Sequence, residues 1–337
     1  MADQEIKQAA ELLANGQVVG MPTETVYGLA ARIDLPEGIR KIFTTKERPF
    51  FDPLIVHIAD ASDVLSVAAE FPKAAKVLAE KYWPGPLTMI LPKRADINPM
   101  ITAGLDSVGV RVPSHPVAQA LIRAAGVPLA APSANKFGRT SPTTANHVRS
   151  EFIAEKVFVL EGGDSSIGIE STVLLIKVVG AQTELSVLRK GHVLRSDIET
   201  TLREASVPFQ FVDVVDKNVS PGHMKHHYMP AIPLVLCTDL SKSIELLKSE
   251  ILARLSEMPG EIEEVKIVKP KGEIHKISEL LLPTDPVLAA RIFYSELRVL
   301  AKSGADCLVL YKRSEHLSER WQSLYDRIEK AASLIIS

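Results

Sequence analysis

A run of small polar residues follows an apolar segment near the middle of the chain and is suited to binding an anion. Residues 127–131 are apolar or proline, which predicts a strand buried in a sheet covered by helices. Ser133, Asn135, Arg139 and Ser141 then supply hydroxyl, amide and guanidinium groups. Such groups at the carboxyl end of a strand suit a phosphate or a carboxylate. The alternative is an ordinary polar loop in which Ser141 precedes a proline that begins a helix.

A second set of polar residues comes directly after a short apolar segment at 18–21, which reads as a buried strand. Thr23, Glu24 and Thr25 follow it, with Gly28 shortly after. These side chains are candidates for display at a strand end, where ligands bind in open α/β sheets. The alternative is a helix start with Thr23 as its N-cap. Both can hold together, because a helix N-terminus is itself an anion site.

Lys46 and Arg48 form a basic pair ahead of an apolar segment at 54–58. Prolines fix the loop between them, so the pair could grip a polyphosphate beside a cleft, although such pairs are commonly a solvated turn. Asp52 lies in the same loop, and its role stays open. His57 interrupts the apolar segment. A lone histidine there is more often a satisfied core residue than a catalyst, and nothing near it has metal-ligand spacing.

Arg111 lies within a predicted strand at 107–112, which begins at Ser107. A buried or half-buried arginine requires a partner, so we expect a carboxylate there, from the protein or from a ligand. Farther along, a glycine-rich loop at 161–172 delivers Ser171 to the start of a predicted strand at 173–176. No Gly-Lys-Ser or Gly-Lys-Thr follows these glycines, so the loop is not a Walker motif.

The composition is that of an ordinary soluble globular protein of more than one domain. The chain has 337 residues, 46% apolar and 24% charged, with a formal net charge of −2. This balance lacks the overall basic character of a dedicated nucleic-acid binder, although a local basic groove is compatible with it. The two cysteines favour a reducing compartment, and no apolar run is long enough for a membrane span. We expect a cytoplasmic protein without membrane association.

We expect the chain to divide into a larger domain at 1–205, an interdomain linker at 206–231 and a smaller α/β domain at 232–337. The linker contains a segment at 220–230 rich in proline, histidine and glycine. Beyond it, predicted strands at 234–237, 265–268 and 307–310 alternate with predicted helices at 242–255, 285–302 and 318–335. This alternation is typical of a parallel sheet. Three linker histidines lack the cysteine or carboxylate that would complete a metal site.

Taken in order, these motifs resemble one family. PTETVYGLA, Lys46-x-Arg48 with PLIVHI, WPGPLT, VGVRVPSHP, APSAN with SPT, and GIEST are similar to the threonylcarbamoyl-AMP synthase family with the YrdC-like fold. Each motif is weak alone, but the ordered set is specific and runs from Val18 to Arg189. The resemblance continues weakly through the linker into the accessory C-terminal domain of the longer family members.

The resemblance implies a fold and a reaction. The fold is a twisted mixed sheet with surrounding helices and a concave basic cavity, followed by a smaller Rossmann-like α/β domain. The reaction joins L-threonine, bicarbonate or CO2, and ATP to give L-threonylcarbamoyladenylate and pyrophosphate, with Mg2+ bridging the phosphates. A separate transferase complex then uses the product at position 37 of transfer RNAs that read ANN codons. In this scheme the protein positions substrates and neutralises charge, and we name no catalytic residue and no protein metal ligand.

The resemblance also implies two groups of binding residues. Those around L-threonine would be Thr23, His57, Arg111, Ala131 and Ser171. Those around ATP would be Lys46, Arg48, Ser107, Ser133, Asn135, Ser141, Arg189 and Lys225. Lys225 occupies a linker position that some relatives fill with tyrosine, and a lysine cannot stack on adenine. Our hypothesis is that residues 220–230 close over bound ATP.

Two other functions are compatible with the same residues. One is a module that binds transfer RNA or double-stranded RNA without chemistry of its own, using the basic residues for phosphates. The chain lacks aromatic residues interleaved with basic ones, which base stacking would require. The other is a carbamoyl-transfer enzyme built on a related sheet. Pyrophosphate release that needs threonine and bicarbonate together would separate the synthase from both.

Overall fold

The structure is a computed structural model that describes residues 2–213, 226–257, 259–262, 265–270, 272–313 and 315–337. The chain folds into two units. The first contains the described residues up to 136 and from 142 to 213, and the second contains 137–141 together with the described residues from 226 onward. The segment at 220–230 that we expect to close over ATP is described only from residue 226 onward. Residues 220–225, which include Lys225, lie outside the described residues. Within those residues, no helix is long and apolar enough to cross a membrane.

The first unit is a mixed sheet with helices packed around it. Its helices are α1 (Ala2–Ala14), α2 (Pro36–Lys46), α3 (Lys73–Tyr82), α4 (Pro99–Thr102), α5 (Pro116–Ala125), α6 (Ala145–Glu151) and α7 (Arg195–Glu204), with a 3-10 helix at Ala61–Ser66. Its strands are β1 (Val19–Met21), β2 (Gly28–Arg32), β3 (Ile55–His57), β4 (Leu87–Pro92), β5 (Ser107–Arg111), β6 (Leu129–Ala130), β7 (Phe158–Val159), β8 (Thr172–Val179), β9 (Gln182–Arg189) and β10 (Phe209–Phe211).

These strands form one ten-stranded sheet in the order β10-β9-β8-β4-β5-β3-β6-β2-β1-β7. The sheet contains parallel pairs, such as β3 with β5 and β4 with β8, and antiparallel pairs, such as β4 with β5 and β3 with β6. The expectation of a mixed sheet with surrounding helices is confirmed. Strand β10 lies within the segment that the sequence predicted as linker, and it pairs with β9.

Local sequence signals set the ends of the helices. Pro116 occupies the first turn of α5, the His115 side chain accepts a hydrogen bond from the Val117 N–H, and Gly126 ends the helix in the left-handed conformation at φ 69°. Pro36 likewise opens α2, and Glu47 ends it. Proline suits the first turn because the missing N–H has no partner there, and a left-handed residue closes the last turn.

The alternation of side chains along the strands gives the sheet two different faces. Val56, Val108 and Val110 point into the main core, which is packed against α2, α3 and α7. The intervening residues Ile55 and Ile90 belong to a small separate cluster on the other face. Helices α1 and α5 cover that second face over β1, β2 and β6. The central strands β3, β4, β5 and β8 therefore present a second face with little apolar surface of its own, and this is where polar side chains collect.

The second unit contains a four-stranded parallel sheet with helices on both sides. Its strands are β11 (Leu234–Cys237), β14 (Ile277–Glu279), β15 (Cys307–Tyr311) and β16 (Leu334–Ile336), in the order β14-β15-β11-β16, and its helices are α8 (Ile244–Glu257), α9 (Pro286–Leu300) and α10 (Glu319–Ala331). The predicted parallel sheet is confirmed. Cys237 and Cys307 are free thiols in its core.

Two predicted elements of the second unit differ from the structure. The segment at 265–268 is not part of the parallel sheet, because β13 (Val265–Lys266) pairs with β12 (Glu261–Ile262) in a separate antiparallel ribbon. The predicted helix at 318–335 ends at Ala331, where Ala332 leaves the helical conformation. The residues after it form β16, since an apolar run beside an unfilled sheet edge is better buried as a strand.

Candidate active site

The side chain of Arg111 is the centre of a buried polar cluster on the second face of the sheet. Its Nη2 donates to Glu24 Oε1 at 2.5 Å, its Nη1 donates to Thr25 Oγ1 at 2.9 Å, and its Nε donates to the Gly85 carbonyl at 3.1 Å. Only 4% of Arg111 is exposed. The expectation that this arginine has a carboxylate partner is confirmed, and Glu24 supplies that partner from within the protein.

Glu24 is ionised in this pair. Burial alone would raise the pKa of its carboxyl group, but the charge of Arg111 and the hydrogen bond from it outweigh that effect and hold the pKa below its ordinary value. A buried carboxylate and a buried guanidinium therefore lie in contact, each compensating the other. Removing either one would leave an uncompensated buried charge, which costs about 3 to 5 kcal/mol.

Thr23 joins this cluster through its neighbour. Its Oγ1 lies 2.9 Å from Thr25 Oγ1, and it donates to the Val26 carbonyl at 2.5 Å. The interpretation of Thr23 as a helix N-cap is wrong, because no helix follows it and the chain enters β2 at Gly28. The turn instead brings Gly28 against Ala131, where an added Cβ would lie 3.1 Å from the Ala131 Cβ.

His57 is the register partner of Arg111 across β3 and β5. Its Nδ1 lies 3.3 Å from the Ile55 carbonyl, and the residue is buried. Burial and the positive charge of Arg111 lower the pKa of the imidazole to about 3. His57 is therefore neutral at physiological pH and is a polar, uncharged neighbour of Arg111.

Ser171 lies at the start of β8 and connects two further polar residues. Its Oγ lies 2.8 Å from Thr88 Oγ1. Arg189 donates from Nε to the Ser171 carbonyl and from Nη2 to the Ser171 Oγ, both at 3.0 Å. The resemblance placed Arg189 with ATP and Ser171 with threonine, whereas in the structure these two side chains are bonded to each other.

Lys46 ties the end of α2 to the loop after β6. Its Nζ donates to the Ser133 carbonyl at 2.6 Å and to the Asn135 carbonyl at 2.5 Å. The lysine is 1% exposed. Burial, followed by the positive charge of Arg48, holds the pKa of Lys46 well below its ordinary value. The structure thus brings together three residues that the resemblance assigned to ATP.

Arg48 is held by its own loop. Its Nη2 lies 2.9 Å from an Asp52 carboxylate oxygen and donates to the Pro53 carbonyl at 2.8 Å. Both side chains of the ion pair are buried. The open question about Asp52 is answered in part, since it is the internal counter-ion of Arg48.

Two of the remaining predicted residues, Ser107 and Ala131, lie on or beside the central strands of the sheet. Ser107 shares the second face of β5 with Arg111, four residues away. Between them, an added Cβ on Gly109 would meet Ile90, Ile55 and Thr88 at 3.2 to 3.4 Å. The Ala131 N–H donates to the carbonyl of Ile55, which lies two residues before His57 on β3. Ser141 belongs to the second unit, and Lys225 lies outside the described residues.

Comparison with known proteins identifies the family of this chain. A family model described as telomere recombination, the Sua5, YciO and YrdC family, matches residues 11–191. A second, described as the threonylcarbamoyl-AMP synthase C-terminal domain, matches residues 193–333. The threonylcarbamoyl-AMP synthase of Bacillus subtilis is 42% identical over 249 residues, covering 74% of this chain and 71% of that protein. That of Pyrococcus abyssi is 33% identical over 332 residues, covering 97% and 94%.

The chain belongs to the threonylcarbamoyl-AMP synthase family. A solved structure supports the same assignment, and its match includes residues of both units. The Sua5 protein of Pyrococcus abyssi, crystallised in complex with L-threonine, is 30% identical with a TM-score of 0.79, and the match covers 98% of this chain and 96% of that one. The resemblance recognised from the ordered motifs is therefore confirmed.

Three residues of the site in this family member were not assigned from the sequence. Glu24 and Thr25 were recognised as strand-end polar groups but not as the partners of Arg111. The signal was available, because Arg111 required a carboxylate and Glu24 stands in the most conspicuous polar strand-end motif. Thr88 is the hydroxyl residue within the otherwise apolar strand β4, and this position alone would have marked it.

No group of three or more histidine, cysteine, aspartate or glutamate side chains suited to a metal occurs within the part of the chain that the structure describes. The acidic residues of the site, Glu24 and Asp52, are each paired with an arginine.

Proposed function

We propose that this protein is an L-threonylcarbamoyladenylate synthase, which converts L-threonine, bicarbonate or CO2, and ATP into L-threonylcarbamoyl-AMP and pyrophosphate. The product would serve threonylcarbamoyladenosine formation at position 37 of transfer RNAs that read ANN codons, through a separate transferase complex. The observation that carries the proposal is the buried cluster around Arg111 in a chain that matches threonylcarbamoyl-AMP synthases over almost its full length.

Arg111 would receive the carboxylate of L-threonine. Its three described contacts use three of its five N–H groups, so two remain for a ligand. Charge-assisted hydrogen bonds from a guanidinium to a carboxylate are among the strongest in proteins. Thr23, the neutral His57, Ala131 and Ser171 would surround the rest of the amino acid. A neutral histidine suits this place because a second cation would compete for the carboxylate.

Lys46 and Arg48 would bind the phosphates of ATP. In the structure both are bonded to protein groups, Lys46 to carbonyl oxygens and Arg48 to Asp52. A triphosphate carries more negative charge than either partner and would displace or share these contacts. Ser107, Ser133, Asn135, Ser141, Arg189 and Lys225 complete the proposed set. Mg2+ would enter with ATP as part of the substrate, with phosphate oxygens and water as its main ligands.

The chemistry requires mainly positioning. The neutral amine of threonine attacks CO2 with release of a proton, or attacks bicarbonate with loss of water. The resulting carbamate then attacks the α-phosphorus as pyrophosphate departs. Holding two reactants in line in a water-poor site can supply several kcal/mol of the barrier, roughly 7 to 11 in favourable model reactions. Cations that neutralise the departing pyrophosphate supply more. No protein nucleophile is needed for either step.

The decisive experiment is an assay of pyrophosphate release by the purified chain. We expect release only when L-threonine, bicarbonate and ATP with Mg2+ are all present, together with an adenylate of the mass of threonylcarbamoyl-AMP. Release without threonine, or formation of threonyl-AMP that does not depend on bicarbonate, would contradict the proposal.

An RNA-binding module without chemistry is the competing function. It is disfavoured by the burial of the two cations that it would need, since Lys46 is 1% and Arg48 is 7% exposed. Phosphates of a bulky duplex require exposed lysine and arginine side chains. Tight binding of transfer RNA by a protein that releases no pyrophosphate would favour this alternative instead.

A further inference from the structure

The Glu24 carboxylate has one oxygen engaged and one available. Oε1 accepts the hydrogen bond from Arg111, whereas Oε2 is buried and has no donor in hydrogen-bonding geometry among the residues that the structure describes. The backbone N–H groups of Glu24 and Ser114 lie near the carboxylate and help to lower its pKa. Glu24 as a whole is 6% exposed. A buried acceptor without a donor is costly, so this oxygen is suited to a donor from a ligand.

The Arg111 side chain is in the complementary situation. Three of its N–H groups are bonded to protein and two are available. The pair therefore presents a positive and a negative group in direct contact, each with unused bonding capacity. An α-amino acid carries its carboxylate and its ammonium on the same carbon atom, so its two charges are also adjacent and of opposite sign.

We infer that Glu24 binds the amino group of L-threonine through Oε2 while Arg111 binds the carboxylate. This inference rests on the proposed function and adds a binding residue to it. The Arg111–Glu24 contact fixes both side chains before the amino acid arrives, so little side-chain entropy is lost on binding. The site then selects α-amino acids by two charges, and an acid that lacks the amino group loses one of the two contacts.

The charged and titratable side chains around this pair leave Glu24 as the acceptor. His57 faces Arg111 from the neighbouring strand, and it is neutral because its pKa is about 3. Thr25 is engaged by Arg111 and by Thr23. Ser171 is engaged by Thr88 and Arg189. Among these described residues, the Glu24 carboxylate is the anion that can meet an ammonium group.

The test is calorimetric titration of the full-length protein with L-threonine, using the wild type, E24Q and E24D. Glutamine keeps the size of the side chain and removes its charge. We expect E24Q to weaken threonine binding roughly ten- to hundredfold, the usual value of a hydrogen bond to a charged group. E80Q, at an exposed glutamate on α3, is the matched control and should bind like the wild type.

A second ligand separates a direct contact from an effect through Arg111. 3-Hydroxybutyrate is threonine without its amino group, and its binding is measured in the same way at high concentration. We expect E24Q to weaken threonine binding by a larger factor than 3-hydroxybutyrate binding. An equal loss for both ligands, or unchanged threonine binding, would overturn the inference. If E24Q does not fold, E24D is judged by the same comparison.

Failure of this inference is distinguishable from failure of the proposed function. The wild type is assayed separately for threonine-dependent pyrophosphate release. If release occurs and E24Q binds threonine normally, only the role of Glu24 is rejected. If the wild type neither binds threonine nor releases pyrophosphate with it, the proposed function itself is rejected.

Discussion

His57 and Arg111 are direct neighbours across the parallel strands β3 and β5, and burial together with the charge of Arg111 keeps His57 neutral. Arg111 is compensated by Glu24, so no further anion is needed to offset it. A protonated His57 would place a second positive charge in the same buried cluster. The pair is therefore one cation and one neutral polar group over the pH range in which proteins function.

This relationship predicts a pH dependence of stability. His57 has a pKa of about 3 in the folded protein and about 6.5 when unfolded. Between these values the unfolded chain binds a proton that the folded chain does not, so the free energy of unfolding falls as the pH falls. One such group contributes a slope of up to about 1.4 kcal/mol per pH unit. Urea unfolding of the wild type and H57N from about pH 6 to about pH 4 measures it.

H57N should lose less stability over that interval than the wild type, because asparagine does not titrate. Parallel slopes for the wild type and H57N would show that His57 is protonated in the folded protein.

Replacement of Arg111 should damage threonine use more than ATP use. We expect R111Q to cost about 2 to 5 kcal/mol in kcat/KM for L-threonine, because a buried charge partner of the carboxylate is lost. The KM for ATP should change little. R94Q, at an exposed arginine that pairs with Asp96, is the control. Equal losses for both substrates would place Arg111 outside the amino-acid site.

R111Q should also destabilise the protein, since Glu24 would be buried without its partner. The double variant E24Q/R111Q should recover part of that loss, because it removes both charges together. Thermal unfolding of the single and double variants measures this coupling. A double variant that is as unstable as the sum of the two single variants would show that the pair makes no net interaction.

Selectivity for threonine over serine should be modest. The two amino acids differ by one methyl group, and a snug apolar contact with it contributes about 1 to 3 kcal/mol. Competition between L-threonine and L-serine in adenylate formation gives the ratio of their kcat/KM values. A preference of many thousandfold would mean that the proposed pocket is incorrect.

At a pH near the ordinary pKa of lysine, ATP binding should be accompanied by proton uptake, because the lowered pKa leaves part of Lys46 neutral there. The pKa of Lys46 is held well below its ordinary value by burial and by Arg48, and a bound phosphate would raise it. Calorimetric titration with ATP in buffers of different ionisation enthalpy measures the protons taken up. K46M should remove the uptake, whereas K76M, at an exposed lysine on α3, should retain it. Heats that do not depend on the buffer would show that Lys46 is already charged before ATP binds.

Much of the fold could be predicted from the sequence because its strands are short apolar runs with clear boundaries. Strand β11 was predicted from its apolar pattern. Strand β16 could not be separated from the preceding helix, because its apolar residues continue the helical pattern. Only the open sheet edge beside β11 distinguishes the two outcomes.

The site was predictable in its members but not in its pairings. The sequence showed that Arg111 needs a carboxylate, yet Glu24 lies far away in the chain, and the register that joins them is set by the whole sheet. The bond between Ser171 and Arg189 likewise follows from the hairpin of β8 and β9. Ordered motifs identify which side chains converge, and tertiary structure decides which of them meet.

Ser107 and Arg111 stand on the same face of one strand, and that strand is bonded on both sides by β4 and β3. Four residues of extended chain measure about 13 Å, and a strand clamped between two others cannot stretch. The distance between these two positions along the strand is therefore fixed by the sheet. A ligand that contacts both side chains must span that distance, so a larger amino acid would need additional space to the side of the strand.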